Sequence, residues 1–90
     1  MNTFIGTVVK SCAGRDGNDY FVVVAHDVDG FLYIANGKSR KLLKPKKKNV
    51  KHLQFTKTVI ELDGLTDKGL RKLLKQFKST QTLSGGNTNV

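Results

Sequence analysis

The most informative residues of this chain are the cations between Lys38 and His52. Eight basic side chains and no acidic one occur there, namely Lys38, Arg40, Lys41, Lys44, Lys46, Lys47, Lys48 and Lys51. A run of like charge this dense repels itself, so we expect a counter-charge from outside the chain. Phosphate is the commonest such partner, and the neutralisation of each phosphate releases counterions, which favours binding. The alternative is a basic loop that contacts only water.

The turn at residues 14–19 is a second candidate for phosphate binding. Gly14 and Gly17 let the backbone turn sharply and approach a partner closely. Arg15 offers a planar fork of donors that suits a phosphate or a guanine edge. Asp16 is placed to orient Arg15 or to accept a hydrogen bond from a ribose 2′-hydroxyl. An ordinary surface turn is equally compatible with these residues.

Catalytic chemistry is not indicated. Cys12 is the single cysteine and ends an apolar segment, which is typical of a small buried hydrophobe. His26 and His52 are too few and too far apart for a triad or for a zinc site, which needs about four ligands. We therefore expect no catalytic residue, no metal and no cofactor. His52, next to Lys51, is expected to hydrogen-bond to RNA or to stack on it.

Length and charge narrow the class of protein. Ninety residues form one small domain and leave no room for a deep cleft between two lobes. Lys and Arg number 16 against 7 for Asp and Glu, which gives a formal charge of +9. Residues 38–90 hold fourteen of these cations and only three acids. A basic excess of this kind predicts a polyanionic partner, with nucleic acid first and an anionic membrane surface second.

The chain shows no feature of secretion or of membrane insertion. Its N-terminus lacks the basic and apolar regions of a signal peptide. The longest apolar runs, Tyr20–Ala25 and Phe31–Ala35, are far shorter than the ~20 residues that span a bilayer. We expect a cytoplasmic protein that is monomeric when free and has no membrane partner.

Short strands must position these residues. Turn-forming clusters separate β-rich segments at about ten-residue spacing, which is typical of a mainly β fold closed into a small barrel. The expected strands are Ile5–Ser11, Tyr20–Ala25, Phe31–Ala35 and Val50–Phe55, with a short segment at Leu42-Leu43. Asp29-Gly30 and Asn36-Gly37 are expected to form hairpin turns. Lys44–Asn49 is expected to be a basic loop around the only proline, Pro45.

The end of the chain changes character. Thr66 is a candidate N-cap, and Asp67 favours the first turn of a helix. Leu70, Leu73, Leu74 and Phe77 follow at the spacing of an amphipathic helix, with Lys68, Arg71, Lys72, Lys75 and Lys78 on the other face. We expect a barrel over residues 1–62, a basic helix over residues 63–78 and a disordered tail over residues 79–90.

Two segments carry a resemblance to a known family. Ile5–Val9, Ala13–Asp16 and Phe21–Ala25 together resemble a KOW motif, the short glycine-centred β-element of ribosomal and transcription-elongation proteins. Asn36–Lys38 and Arg40-Lys41, followed by Pro-Lys-Lys-Lys-Asn-Val-Lys-His-Leu at residues 45–53, resemble a narrower group. These are small bacterial KOW-domain RNA-binding proteins, similar to the archaeal and eukaryotic large-subunit ribosomal proteins of the fourteen-e type.

The resemblance implies an SH3-like barrel that binds RNA, and ribosomal RNA in particular, through its loops. Gly14 matches the motif glycine, with Arg15 and Asp16 as the residues that follow it. The basic segment matches at Arg40, Lys41, Pro45, Lys46, Lys48, Lys51 and His52. The family tends to place Lys and then Gly after the position of Asp16, whereas this chain has Gly17-Asn18-Asp19. The second, basic segment is therefore the stronger candidate for binding.

The leading hypothesis is a non-catalytic RNA-binding protein associated with the ribosome. Its predicted RNA contacts are Gly14, Arg15, Asp16, Lys38, Arg40, Lys41, Lys44, Lys46, Lys47, Lys48, Lys51 and His52. A protein-interaction module of the KOW type is the alternative, with ribosomal or transcription proteins contacting the Leu70–Phe77 stripe. A third hypothesis places the basic helix, Lys68–Lys78, on anionic lipid.

Overall fold

The fold is a five-stranded antiparallel sheet followed by one helix. A computed structural model describes residues 4–12 and 19–87. The elements are β1 (Thr7–Ser11), β2 (Tyr20–His26), β3 (Phe31–Ala35), β4 (Lys46–Asn49), a 3₁₀ helix (Val50–His52), β5 (Leu53–Val59) and α1 (Asp67–Asn87). The strand order is β4-β3-β2-β1-β5, which is compatible with a small barrel. The predicted mainly β class with a C-terminal helix is confirmed.

Strand β2 lies in the middle of the sheet and is buried on both faces. Val22 pairs with Val8 and Ala35 on one face, and the neighbouring Phe21 and Val23 point to the other. Phe21, Val22 and Val23 are all 0% exposed. A strand covered on both sides needs a continuous apolar run rather than an alternating one. This confirms the prediction of a central strand at Tyr20–Ala25.

Helix α1 covers the face of the sheet formed by Val8, Val22 and Ala35. Leu70 and Leu74 are buried in one cluster with these three side chains. The contact is between side chains of an amphipathic helix and a sheet face, and it is the main source of stability for a helix of this length. The helix therefore packs on its own sheet.

Next to this helix–sheet contact, two aromatic rings pack on each other and one leucine of the helix stays exposed. The Phe77 ring meets the Tyr20 ring edge-to-face, with 5.1 Å between the ring centroids. Leu73, which the spacing places in the same apolar stripe, is 38% exposed. The predicted stripe is thus buried at Leu70 and Leu74, half-buried at Phe77 and open at Leu73.

The β2–β3 hairpin forms around Asp27, as the Asp29-Gly30 turn predicts. The Oδ1 atom of Asp27 accepts hydrogen bonds from the backbone N–H groups of Asp29 and Phe31, both at 3.0 Å. Gly30 has a φ of +90°, a conformation that glycine adopts without strain.

The segment from Asn36 to Phe55 differs from the prediction. The sequence predicts a loop at Lys44–Asn49, but Lys46–Asn49 is strand β4 and pairs with β3. It predicts one strand at Val50–Phe55, but Val50–His52 forms a 3₁₀ helix and β5 begins at Leu53. Lysine has low strand propensity, and the pairing to β3 overrides it.

The turns in this segment also differ. Asn36-Gly37 does not close a two-residue hairpin, because the connection from β3 to β4 runs over residues 36–45. Leu42-Leu43 lies in a turn within this connection, where Leu42 packs against the helix-covered cluster and Leu43 is 93% exposed.

Helix α1 begins at Asp67 and ends at Asn87. Thr66 is the N-cap, as predicted, and its Oγ1 atom accepts a hydrogen bond of 3.0 Å from the Gly69 N–H. Residues 79–87, expected to be disordered, continue the helix, because this stretch has no proline to interrupt the backbone hydrogen bonds. Residues 88–90 of the predicted tail lie outside the described residues. Within the described ranges, no helix has both the length and the apolar character needed to cross a bilayer.

The start of α1 is fixed to the β3–β4 connection by three contacts. The Asp67 Oδ1 atom accepts a hydrogen bond from the Leu42 N–H at 2.7 Å. The Arg71 Nη1 atom donates a hydrogen bond to the Gly37 carbonyl oxygen at 2.7 Å. Gly37 has a φ of +76°, and a Cβ atom at this position would overlap the backbone carbonyl of Asp67. Only glycine lets the two segments approach this closely.

We expect Gly37→Ala to destabilise the fold more than Gly64→Ala. Both glycines have a φ of +76°, but no atom lies within 4 Å of a Cβ added at Gly64. Gly64→Ala should therefore lose only the cost of the left-handed backbone, about 1–2 kcal/mol. Gly37→Ala should lose about 1–3 kcal/mol more through overpacking. Urea unfolding of the two variants measures this difference, and equal losses would contradict the packing argument.

Candidate nucleic-acid interface

The β3–β4 connection holds four of the predicted cations on a well-ordered turn. The Asn36 Oδ1 atom accepts hydrogen bonds of 2.9 Å from the backbone N–H groups of Lys38 and Arg40. The Arg40 carbonyl oxygen accepts hydrogen bonds from the N–H groups of Asn36 and Gly37. Lys38, Lys41 and Lys44 are exposed, and Arg40 is half-buried. None of these four cations forms a salt bridge with another described residue.

Strand β4 divides its three lysines between the two faces of the sheet. Lys46 and Lys48 lie opposite Ile34 and Leu32, whereas Lys47 lies opposite Tyr33. Successive side chains of a strand point to opposite sides, so the three consecutive lysines do not form one patch. The sequence run is therefore divided between the two faces of the sheet at the edge strand β4.

Lys47 is held in place by its neighbours on the β2–β3 hairpin. Its Nζ atom lies 3.6 Å from the Asp27 Oδ2 atom and 4.6 Å from the centroid of the Phe31 ring. The Lys47 side chain is 50% exposed, so the pair lies at the surface. Asp27 thus partly neutralises Lys47 at the surface, and Lys47 is less available to a phosphate than the cations of the β3–β4 connection.

Lys51 and His52 lie on the 3₁₀ helix between the two edge strands, and both are exposed. The Asn49 side chain caps this helix by accepting a hydrogen bond of 2.9 Å from the Lys51 N–H. The His52 carbonyl oxygen accepts a hydrogen bond of 2.9 Å from the Cys12 N–H. Gly14, Arg15 and Asp16, the first predicted loop, lie outside the described residues.

The structure also forms a basic groove, in which Lys38, a predicted RNA contact, lies beside the cations of the basic helix, which the sequence assigned only to the lipid hypothesis. It has a volume of about 690 Å³ and lies between α1 and the starts of β2 and the β3–β4 connection. Six cations line it, namely Lys38, Lys68, Arg71, Lys72, Lys75 and Lys78, against one acid, Asp19. The spacing of the helix cations was visible in the sequence, but the proximity of Lys38 is a tertiary feature.

Across residues 4–12 and 19–87, no three His, Cys, Asp or Glu side chains are grouped so that they could hold a metal ion. Cys12 is a free thiol and is exposed, which differs from its expected burial. The described residues present a surface of cations, among which Lys47 is paired with Asp27.

Comparison with protein-family models and with curated proteins finds no match to this chain.

The charge of Asp27 contributes to the hairpin that holds Lys47. Desolvation raises the pKa of the Asp27 carboxyl group. The hydrogen bonds from the Phe31 and Asp29 N–H groups and the nearby Lys47 ammonium outweigh this effect, and the pKa lies below its ordinary value. The folded protein thus favours the ionised carboxylate more than the unfolded chain does.

We expect Asp27→Asn to destabilise the protein at neutral pH and to matter less in acid. The stabilisation by the carboxylate is fully present above the unfolded pKa of about 3.9, and it is lost as pH falls through the lower folded pKa. The difference in free energy of unfolding between wild type and Asp27→Asn should therefore shrink below about pH 4. Urea unfolding over a pH series measures it. A difference that stays constant with pH would contradict the proposed role of the charge.

Proposed function

We propose that this protein is a non-catalytic, cytoplasmic RNA-binding protein that associates with the ribosome by docking on ribosomal RNA. This proposal rests on one observation, which is that exposed cations lie on the β3–β4 connection and on the 3₁₀ helix. Lys38, Lys41, Lys44 and Lys51 are exposed and form no salt bridge with another described residue. Cations held apart from internal acids favour an external polyanion.

The hydrogen bonds that hold the cation-bearing segment support a specific docking surface. Asn36 closes the turn through its side chain, and Asp67 fixes Leu42 to the helix start. Cations on a pre-formed turn lose less freedom on binding than cations on a flexible tail. A fixed array of this kind suits folded RNA, which proteins recognise largely by shape and by contacts to phosphates and 2′-hydroxyl groups.

The assignment to ribosomal RNA depends on the family resemblance. The KOW-like segments imply a small barrel, and the five-stranded sheet is compatible with one. The predicted basic loop is not retained as a loop, because Lys46–Asn49 forms β4. The cytoplasmic location follows from the same proposed role.

The contacts of α1 favour RNA over a protein-interaction module. The Leu70–Phe77 stripe, which was the expected protein contact, is largely covered by this chain itself. Leu70 and Leu74 are buried against the sheet, and Phe77 packs on Tyr20. Of that stripe, Leu73 is the member left exposed. One half-exposed leucine provides far less apolar area than the buried core of a protein interface.

The first test is sedimentation of the protein with ribosomes from the organism that encodes it. We expect co-migration with the large subunit in a sucrose gradient at low salt, with loss of co-migration at high salt or after RNase treatment. Electrostatic contacts to RNA predict both losses, since phosphate binding weakens steeply as salt rises. A protein that stays at the top of the gradient at low salt would contradict the ribosomal role.

The second test is the salt dependence of binding to purified large-subunit ribosomal RNA. If about five phosphates are engaged, the slope of log K against log salt should be near −3.5, from the single-strand coefficient. The triple variant Lys41→Ala/Lys44→Ala/Lys51→Ala should reduce the magnitude of the slope by about 2. These side chains are exposed, so the fold should be kept.

A matched single variant separates this interface from general charge. Lys57 is exposed on β5, at the opposite edge of the sheet from β4. Lys57→Ala should leave the slope unchanged, whereas Lys44→Ala should reduce its magnitude by about 0.7. Equal effects of the two variants would mean that net charge alone determines binding.

The triple variant Lys46→Ala/Lys47→Ala/Lys48→Ala should also reduce the magnitude of the slope, without unfolding the sheet.

A further inference from the structure

We propose that the basic groove beside α1 is a second contact surface for the RNA backbone, continuous with the interface on the β3–β4 connection. This inference rests on the proposed function, because it assigns further contacts to the same polyanion. Lys38 belongs to both surfaces, since it lies on the connection and also lines the groove. A strand of phosphates that reaches Lys38 therefore lies next to the cations of α1.

The cations of α1 form a row along the groove. Lys68, Lys72 and Lys75 are spaced by four and three residues, so they lie on one side of the helix. The row from Lys68 to Lys78 extends for about 15 Å along the helix axis. Like charges at these spacings destabilise a helix in isolation. No described residue forms a salt bridge with Lys68, Lys72 or Lys75, so the fold does not compensate this repulsion.

Arg71 is the pre-organised member of this set. Its Nη1 atom is held by the Gly37 carbonyl oxygen at 2.7 Å, which fixes the guanidinium group at the groove. Within the described part of the chain, the other guanidinium N–H groups have no protein acceptor. A guanidinium carries five N–H donors in a rigid plane, and this geometry matches two oxygens of one phosphate.

The helix contacts favour RNA over lipid as the occupant. An amphipathic helix binds a bilayer by inserting its apolar face into the headgroup region. Leu70 and Leu74 are buried on the sheet and are not available for insertion. The Tyr20 side chain also lines the groove beside the cations, where it is half-buried, with its ring packed on Phe77 and the Lys10 Nζ atom 6.0 Å from the ring centroid.

The test compares the double variant Lys72→Ala/Lys75→Ala with wild type on purified large-subunit ribosomal RNA. Both lysines are exposed and alanine is the best helix former, so the variant should fold. We expect the slope of log K against log salt to fall in magnitude by about 1.4. This corresponds to about 25-fold weaker binding at 0.1 M salt if the two proteins bind equally at 1 M.

Two control variants distinguish loss of the groove from loss of charge elsewhere and from a change in the helix itself. Lys57→Ala removes an exposed cation from β5, and Gln76→Ala changes an exposed helix residue without removing charge. Both should bind like wild type. If Lys72→Ala/Lys75→Ala also binds like wild type, the groove inference is overturned and the proposed function stands. If wild type does not bind the RNA at low salt, the proposed function itself fails.

Two further measurements use the wild-type protein. Acetylation of lysines, mapped by mass spectrometry, should show Lys72 and Lys75 protected by RNA and Lys57 still reactive. Equal reactivity of Lys72 and Lys75 with and without RNA would contradict RNA binding in the groove.

Flotation with vesicles of phosphatidylcholine and phosphatidylserine tests the lipid alternative. We expect no flotation at 0.15 M salt. Flotation that Lys72→Ala/Lys75→Ala abolishes, with RNA binding unchanged, would assign the groove to lipid.

Discussion

The sheet of this protein has apolar side chains on both faces, and the rest of the structure depends on covering them. Phe21 and Val23 fill the inner face together with Val9 and Ile34. Val22, together with Val8 and Ala35, fills the other face. A curled sheet can enclose only one face by itself. The second face requires a separate element, and α1 supplies it through Leu70 and Leu74.

Covering this face determines where the cations lie. The helix turns Leu70 and Leu74 toward the sheet, so its lysines must point outward and along the groove. Its first turn meets the β3–β4 connection at Gly37 and Leu42, which brings Lys38 next to Arg71. The same contacts that stabilise the fold thus assemble a basic surface from two distant parts of the chain.

The parts of the fold with a strong local pattern could be predicted from the sequence. The apolar run at Tyr20–Ala25 indicated a central strand, and Thr66 indicated the helix start. Strand β4 was wrongly predicted as a loop. Its residues, Lys46–Asn49, include no apolar side chain, so the alternating pattern of a half-buried strand is missing. Its pairing depends on β3, and charged side chains are common on edge strands because they prevent pairing with other chains. The groove could not be predicted, since Lys38 and the helix cations come together only in the folded chain.

The position of α1 after all five strands has a consequence for how the chain folds during synthesis. A ribosome adds about 5–20 residues per second, so Phe77 follows Val59 by roughly 1–4 s. Until α1 is synthesised, the chain lacks the residues that cover the face formed by Val8, Val22 and Ala35. The net charge of the chain to that point already includes the lysines of β4, and like charge keeps nascent copies apart. The helix-covered cluster is therefore completed only after α1 itself has been synthesised.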